Sequence, residues 1–102
     1  MKPRPPINYE VSQSRLVTEQ FLQLFARAEQ LGWREVFLEA GGYMMDELAY
    51  EPLRFGESRG TLPHLDLEMR IAFAPPLYVE FAVHEQTHQV FIRHFGMRDE
   101  SV

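Results

Sequence analysis

Apolar and polar positions along the chain change period twice, and each change marks a boundary between elements. Ile7, Tyr9 and Val11 alternate with Asn8, Glu10 and Ser12, the period-two pattern of a short strand. Near Ser14 the period lengthens. Val17, Phe21, Leu24, Phe25, Ala28 and Leu31 recur at helical spacing, and Gly32 follows as a C′ stop. Trp33, Phe37, Ala40, Met44 and Leu48 form a second helical stripe, which Pro52 closes because the residue before a proline avoids the α region. Gly41 and Gly42 lie inside that stripe, each costing about 1 kcal/mol relative to alanine. Two readings stand for them: a close approach of the first helix, or a break in the second.

Residues Pro52 to His64 are rich in Gly, Pro and Ser and read as a loop. Period two then returns. Leu65, Leu67, Met69, Ile71 and Phe73 alternate with Asp66, Glu68, Arg70, Ala72 and Ala74, and Pro75-Pro76 interrupts the run. Leu77, Val79, Phe81 and Val83 alternate with Tyr78, Glu80, Ala82 and His84; after a polar turn, Val90 and Ile92 continue the pattern within His88–Phe95. The predicted order is β-α-α-β-β-β, an α+β domain with a two-helix hairpin packed on one face of an antiparallel sheet.

Composition narrows the class. At 102 residues the chain has room for one domain, read as residues 7–98, with a proline-rich tail at 1–6 and a short C-terminal tail at 99–102. Without cysteine there is no disulfide framework, thiolate metal site or cysteine nucleophile. No apolar run is long enough to span a membrane, and the N-terminus lacks the apolar stretch of a signal peptide, so a cytoplasmic protein is expected. The net charge is −5, concentrated between Glu10 and Glu51, where eight acidic residues face three arginines. From Pro52 to Arg98 five acids balance five arginines, so any contact with nucleic acid rests on a local arginine cluster and not on a broad basic surface.

The stretch LAYEPLRFGESRG (Leu48–Gly60), the alternating strand after it and LYVEFAVHEQTHQVFIRHFG (Leu77–Gly96) together resemble the RelE/ParE toxin superfamily. Those proteins commonly carry a helix-ending Leu-x-x-Asp-Pro, then Gly-Glu, and a last hairpin that ends in glycine. Glu51 replaces the aspartate here, while Pro52, Gly56, Glu57 and Gly96 match. The resemblance spans nearly the whole chain, and it implies a type II toxin–antitoxin protein with a cognate antitoxin as partner. It also implies one of two activities. RelE-like members cleave mRNA in the ribosome without metal or cofactor; ParE-like members bind DNA gyrase.

Carried over along the strands, the resemblance places Arg70 at a first basic position of the ribonucleases and Ala72 at a second. It places Val79 at the central arginine and Arg98 at the C-terminal arginine. Only two of these four positions are basic. The expected function is a ribosome-dependent mRNA endoribonuclease with an incomplete catalytic set. The alternative is a non-catalytic binding protein, either a gyrase inhibitor or a relative that only pairs with an antitoxin.

The residues themselves give a parallel reading. If Leu67, Met69, Ile71, Val79, Phe81, Val83, Val90 and Ile92 meet the helices, the open face carries Glu68, Arg70, Tyr78, Glu80, His84 and Arg93. Interleaved acids and bases form either a solvated, ion-paired surface or an acid–base site. In the second reading Arg70 and Arg93 hold phosphate, and Glu80 or His84 moves the proton. Phe91 and Phe95 flank Arg93 as rings suited to stack a base or to meet a protein partner.

One motif points elsewhere. His84-Glu85-Gln86-Thr87-His88 matches the zinc-peptidase pattern HExxH, with His94 as a third candidate ligand. That chemistry requires both histidines on one helical face. The flanking residues keep period two, which puts His84 and His88 on either side of a hairpin bend, and Phe91 stands where the extended motif needs glycine. No metal site is expected there.

Overall fold

Ser14 starts the first helix by accepting the Val17 N–H at 3.2 Å through its hydroxyl. That helix, α1 (Arg15–Gln30), ends in a Schellman motif: Trp33 N–H reaches Ala28 C=O and Gly32 N–H reaches Glu29 C=O. Gly32 has φ +77°, the left-handed conformation this cap needs. The second helix, α2 (Arg34–Tyr50), runs unbroken through Gly41 and Gly42. Neither reading of this pair is required by the structure: the helix does not break, and a Cβ at Gly41 would stand 3.4 Å from the Phe21 ring, an ordinary contact with room for alanine. Gly42 meets nothing. The helix stops at Tyr50, two residues before Pro52, as the sequence predicts.

The computed structural model describes residues 8–98. The expected tails 1–6 and 99–102, and Ile7 of the first strand, lie outside the described residues. Within them, β1 (Glu10–Gln13), β2 (Glu57–Leu62), β3 (Leu67–Ala74), β4 (Leu77–His84) and β5 (Gln89–Met97) form one sheet in the order β1-β5-β4-β3-β2. A short 3₁₀ turn, Pro63–Leu65, joins β2 to β3.

The α+β class and the helical hairpin on one face stand as expected, with two differences in the sheet. It is mixed, because β1 runs parallel to β5. It also has a strand, β2, where a loop is expected. All six residues of β2 are exposed, so no apolar alternation marks it; ladder bonds to β3 hold it in place.

The core lies between the helices and one sheet face. Phe37, Met44 and Leu48 of α2 meet Leu77, Val79, Phe81 and Val83 of β4 and Val90, Ile92 and Phe95 of β5. Trp33 packs at its margin, half-buried. On β3 the buried apolar residues are Ala72 and Ala74, and the expected inward set Leu67, Met69 and Ile71 is only half-buried. The turn explains the reversal. Ala74 pairs with Leu77 across a two-residue connection, so every odd position of β4 faces an even position of β3. Arg70 therefore shares a face with Phe81, on the helical side of the sheet and away from the open side.

Candidate functional site

The open face carries Met69, Ile71 and Phe73 from β3, Tyr78, Glu80 and Ala82 from β4, and Phe91 from β5, each paired across the ladder. Two bulges interrupt this regularity at the same level of the sheet. The β2–β3 register shifts between Ser58 and Gly60, which leaves Arg59 without a partner. The β4–β5 register shifts between Glu80 and Phe81, whose partners are His94 and Ile92, which leaves Arg93 without one. A bulged residue departs from the pleat and can aim its side chain where a regular strand cannot.

Both arginines border one cleft of about 270 Å³, with Met69, Arg70, Ile71 and Glu80 as its other walls. Glu80 stands in mid-sheet, between Ile71 on β3 and His94 on β5, and is exposed. Among the described residues neither the Glu80 nor the Arg93 side chain forms a hydrogen bond or ion pair. Arg59 lies 4.0 Å from Glu57, both well exposed, a pair that contributes little to stability. The cleft thus presents two solvated cations around one solvated carboxylate.

Arg70 is differently placed. Its side chain is 8% exposed. Nε donates to the Phe55 carbonyl at 3.2 Å, one terminal nitrogen donates to the Gly56 carbonyl at 3.0 Å, and the other pairs with Glu68. Gly56, at φ +73°, has no room for a Cβ, because the Ile71 carbonyl and Ala72 occupy that space. The guanidinium therefore fastens the segment after Pro52 beneath β3. Sequence alternation put Arg70 and Glu68 on the open face; the turn parity puts them on the other.

The remaining candidates are spread along the sheet. Arg98 stands at the rim, its guanidinium 4.9 Å from the centre of the Phe73 ring, an open-face residue. His84 lies four residues beyond Glu80, about 13 Å at strand rise, and is tied to Thr87 at 2.7 Å. Phe95 is buried against Phe21 at 5.0 Å between centroids and cannot stack a base, whereas Phe91 is 37% exposed. Val79, at the position of the resemblance's central arginine, is fully buried.

His84 and His88 bracket a hairpin. His84 ends β4, His88 occupies the left-handed position of the turn at φ +53°, and His94 lies along β5 beside Gln20. No helical turn brings the three imidazoles together. Among the described residues no group of three or more His, Asp or Glu side chains is placed to hold a metal ion. Nor, among them, is any helix long and apolar enough to cross a membrane.

Arg59 and the placement of His94 beside Glu80 are absent from the sequence reading. Arg59 sits in an exposed Ser-Arg-Gly stretch with no apolar period. His94 reaches the open face only because the bulge at Arg93 reverses the alternation of β5.

The αα hairpin on one face of a mixed five-stranded sheet is the RelE-like fold. A crystal structure of an archaeal RelE–RelB complex from Pyrococcus horikoshii OT3 shares it at TM-score 0.65. The match is 20% identical in sequence and covers 93% of this chain and 100% of that one. No family model and no curated protein matches the sequence.

Proposed function

We propose that this chain is the toxin-type member of a toxin–antitoxin pair and that its open sheet face cleaves RNA. The observation that carries the reading is the convergence of Arg59, Arg93 and Glu80 on one cleft. Glu80 takes the proton of a ribose 2′-hydroxyl, whose oxygen attacks the adjacent phosphorus; the bond to the 5′-oxygen breaks, that oxygen takes a proton from water, and a 2′,3′-cyclic phosphate is left. Arg59 and Arg93 hold the phosphate oxygens as charge builds on them. Phe91 and Phe73 offer ring faces to neighbouring bases, and Arg98 adds a cation at the rim. The fold shared with the archaeal RelE of a RelE–RelB complex supports an antitoxin as partner. So do the exposed apolar side chains of the helical layer, among them Leu16 and Leu22 of α1 and Val36 and Leu38 of α2.

A second reading draws on a specific observation. Arg70 is spent on backbone carbonyls, and Ala72 and Val79 lie in the core, so the face has few cations for catalysis. In that reading the chain only binds, either to an antitoxin or to gyrase. Induced expression in a bacterial host separates the two. Growth arrest with mRNA cut during translation, abolished by Glu80→Gln, is the expected result. Arrest with intact mRNA and blocked DNA supercoiling, or no arrest, overturns the ribonuclease reading.

A further inference from the structure

Gln20 reaches from α1 to a stretch of β5 that has no strand beside it. β1 pairs with β5 only as far as Ile92, so the outward backbone groups beyond that point need another partner. Gln20 Oε1 accepts the Phe95 N–H at 2.8 Å. A backbone N–H can only donate, so this bond settles which end of the amide is oxygen. The NH₂ end is therefore the one 3.1 Å from His94 Nδ1. It too can only donate. Nδ1 is thus the acceptor, and the ring proton sits on Nε2.

His94 is half-buried, stands opposite Glu80 and lies 5.8 Å from the Tyr78 ring between centroids. Its immediate neighbour along β5 is the bulged Arg93. We infer that Gln20 is a positioning residue that locks His94 as the Nε2–H tautomer, and that His94 donates a hydrogen bond from Nε2 to a phosphate oxygen of RNA held in the cleft. The second half rests on the proposed RNA-binding face; the first does not. The locked ring donates a hydrogen bond and keeps its proton, since releasing it would leave an imidazolate. Glu80 is then the group that moves a proton, and His94 adds a neutral donor beside the bulged Arg93, across β4 and β3 from Arg59.

Nitrogen-15 NMR of the chain at neutral pH tests the lock. The expected spectrum shows His94 with Nε2 protonated and Nδ1 bare. Gln20→Glu keeps an acceptor for Phe95 N–H but offers an acceptor to the ring, and it is expected to put a proton on Nδ1. A protonated Nδ1 in the wild type, or a bare one in Gln20→Glu, overturns the lock. Titration with a short single-stranded RNA tests the donor role. His94→Ala is expected to weaken binding about tenfold, the loss of one hydrogen bond to a charged group, while His94→Gln, which keeps an N–H near the Nε2 position, stays within about threefold. Equal losses in both variants overturn the donor role. Wild-type protein that does not bind RNA overturns the donor role and the proposed face together, and leaves the tautomer result standing.

Discussion

Tyr78 and Gly96 are register partners on β4 and β5, and the tyrosine ring fills the space that a side chain at position 96 would occupy. The glycine is therefore a packing requirement of the open face. It lets the Tyr78 ring settle between Phe73 and His94, each 5.8 Å away between centroids. Gly96→Ala is expected to destabilise the chain by about 1–3 kcal/mol through overpacking. The double variant Gly96→Ala with Tyr78→Ala is expected to lose less than the sum of the two single losses, because the second change vacates the contested space. Chemical denaturation of all four proteins measures this coupling; strict additivity would contradict the packing account.

Arg70 is expected to act on stability, through the loop it fastens. Arg70→Ala leaves the Phe55 and Gly56 carbonyls without their donor and Glu68 without its cation. The expected cost is about 2–4 kcal/mol, with Glu68 partly relieved by solvent. Arg70→Lys cannot bridge both carbonyls from one nitrogen in the same planar geometry and is expected to recover only part of it. Urea midpoints at fixed m-value read the effect. Unchanged stability in Arg70→Ala would show that the side chain is free to serve the cleft.

Tyr9 gives the chain a pH signature. Burial, first, and the Glu85 carboxylate, second, push its phenol above the ordinary value of 10.0. The neutral phenol is thus favoured in the folded chain. Its contribution to stability is present below about pH 10 and is lost as pH rises through the folded value. Glu85→Gln is expected to lower the pH at which Tyr9 titrates, read from its ring resonances in alkaline NMR titration. A rise would contradict the assigned cause.

Much of this architecture is legible in the residues. Ser14, Gly32 and Pro52 punctuate the two helices through capping and steric rules that act locally, and they do so in the structure. The β3–β4 and β4–β5 hairpins follow from period two. What alternation does not carry is which face of one strand aligns with which face of the next. That depends on turn length: the two-residue connection at Pro75-Pro76 reverses the parity of β3 relative to β4 and moves Arg70 inward. The bulges at Arg59 and Arg93 leave no trace in hydropathy, because an unpaired residue is defined by the neighbouring strand. The cleft is built from those two bulges, and one of its two solvated cations, Arg59, is invisible to pattern. Glu80 and Arg93 are readable candidates because plain alternation with Val79 and Phe81, and with Ile92, sets them opposite the apolar stripe; Arg59 lies in a stretch with no such stripe.

The salt dependence of RNA affinity tests the role of the bulged arginines most directly. For single-stranded RNA each phosphate contact contributes about 0.7 to the slope of log affinity against log salt. Replacing both Arg59 and Arg93 with alanine is expected to weaken binding and reduce the slope by about 1.4. A double variant with the wild-type affinity and slope would show that phosphate does not sit between these two side chains.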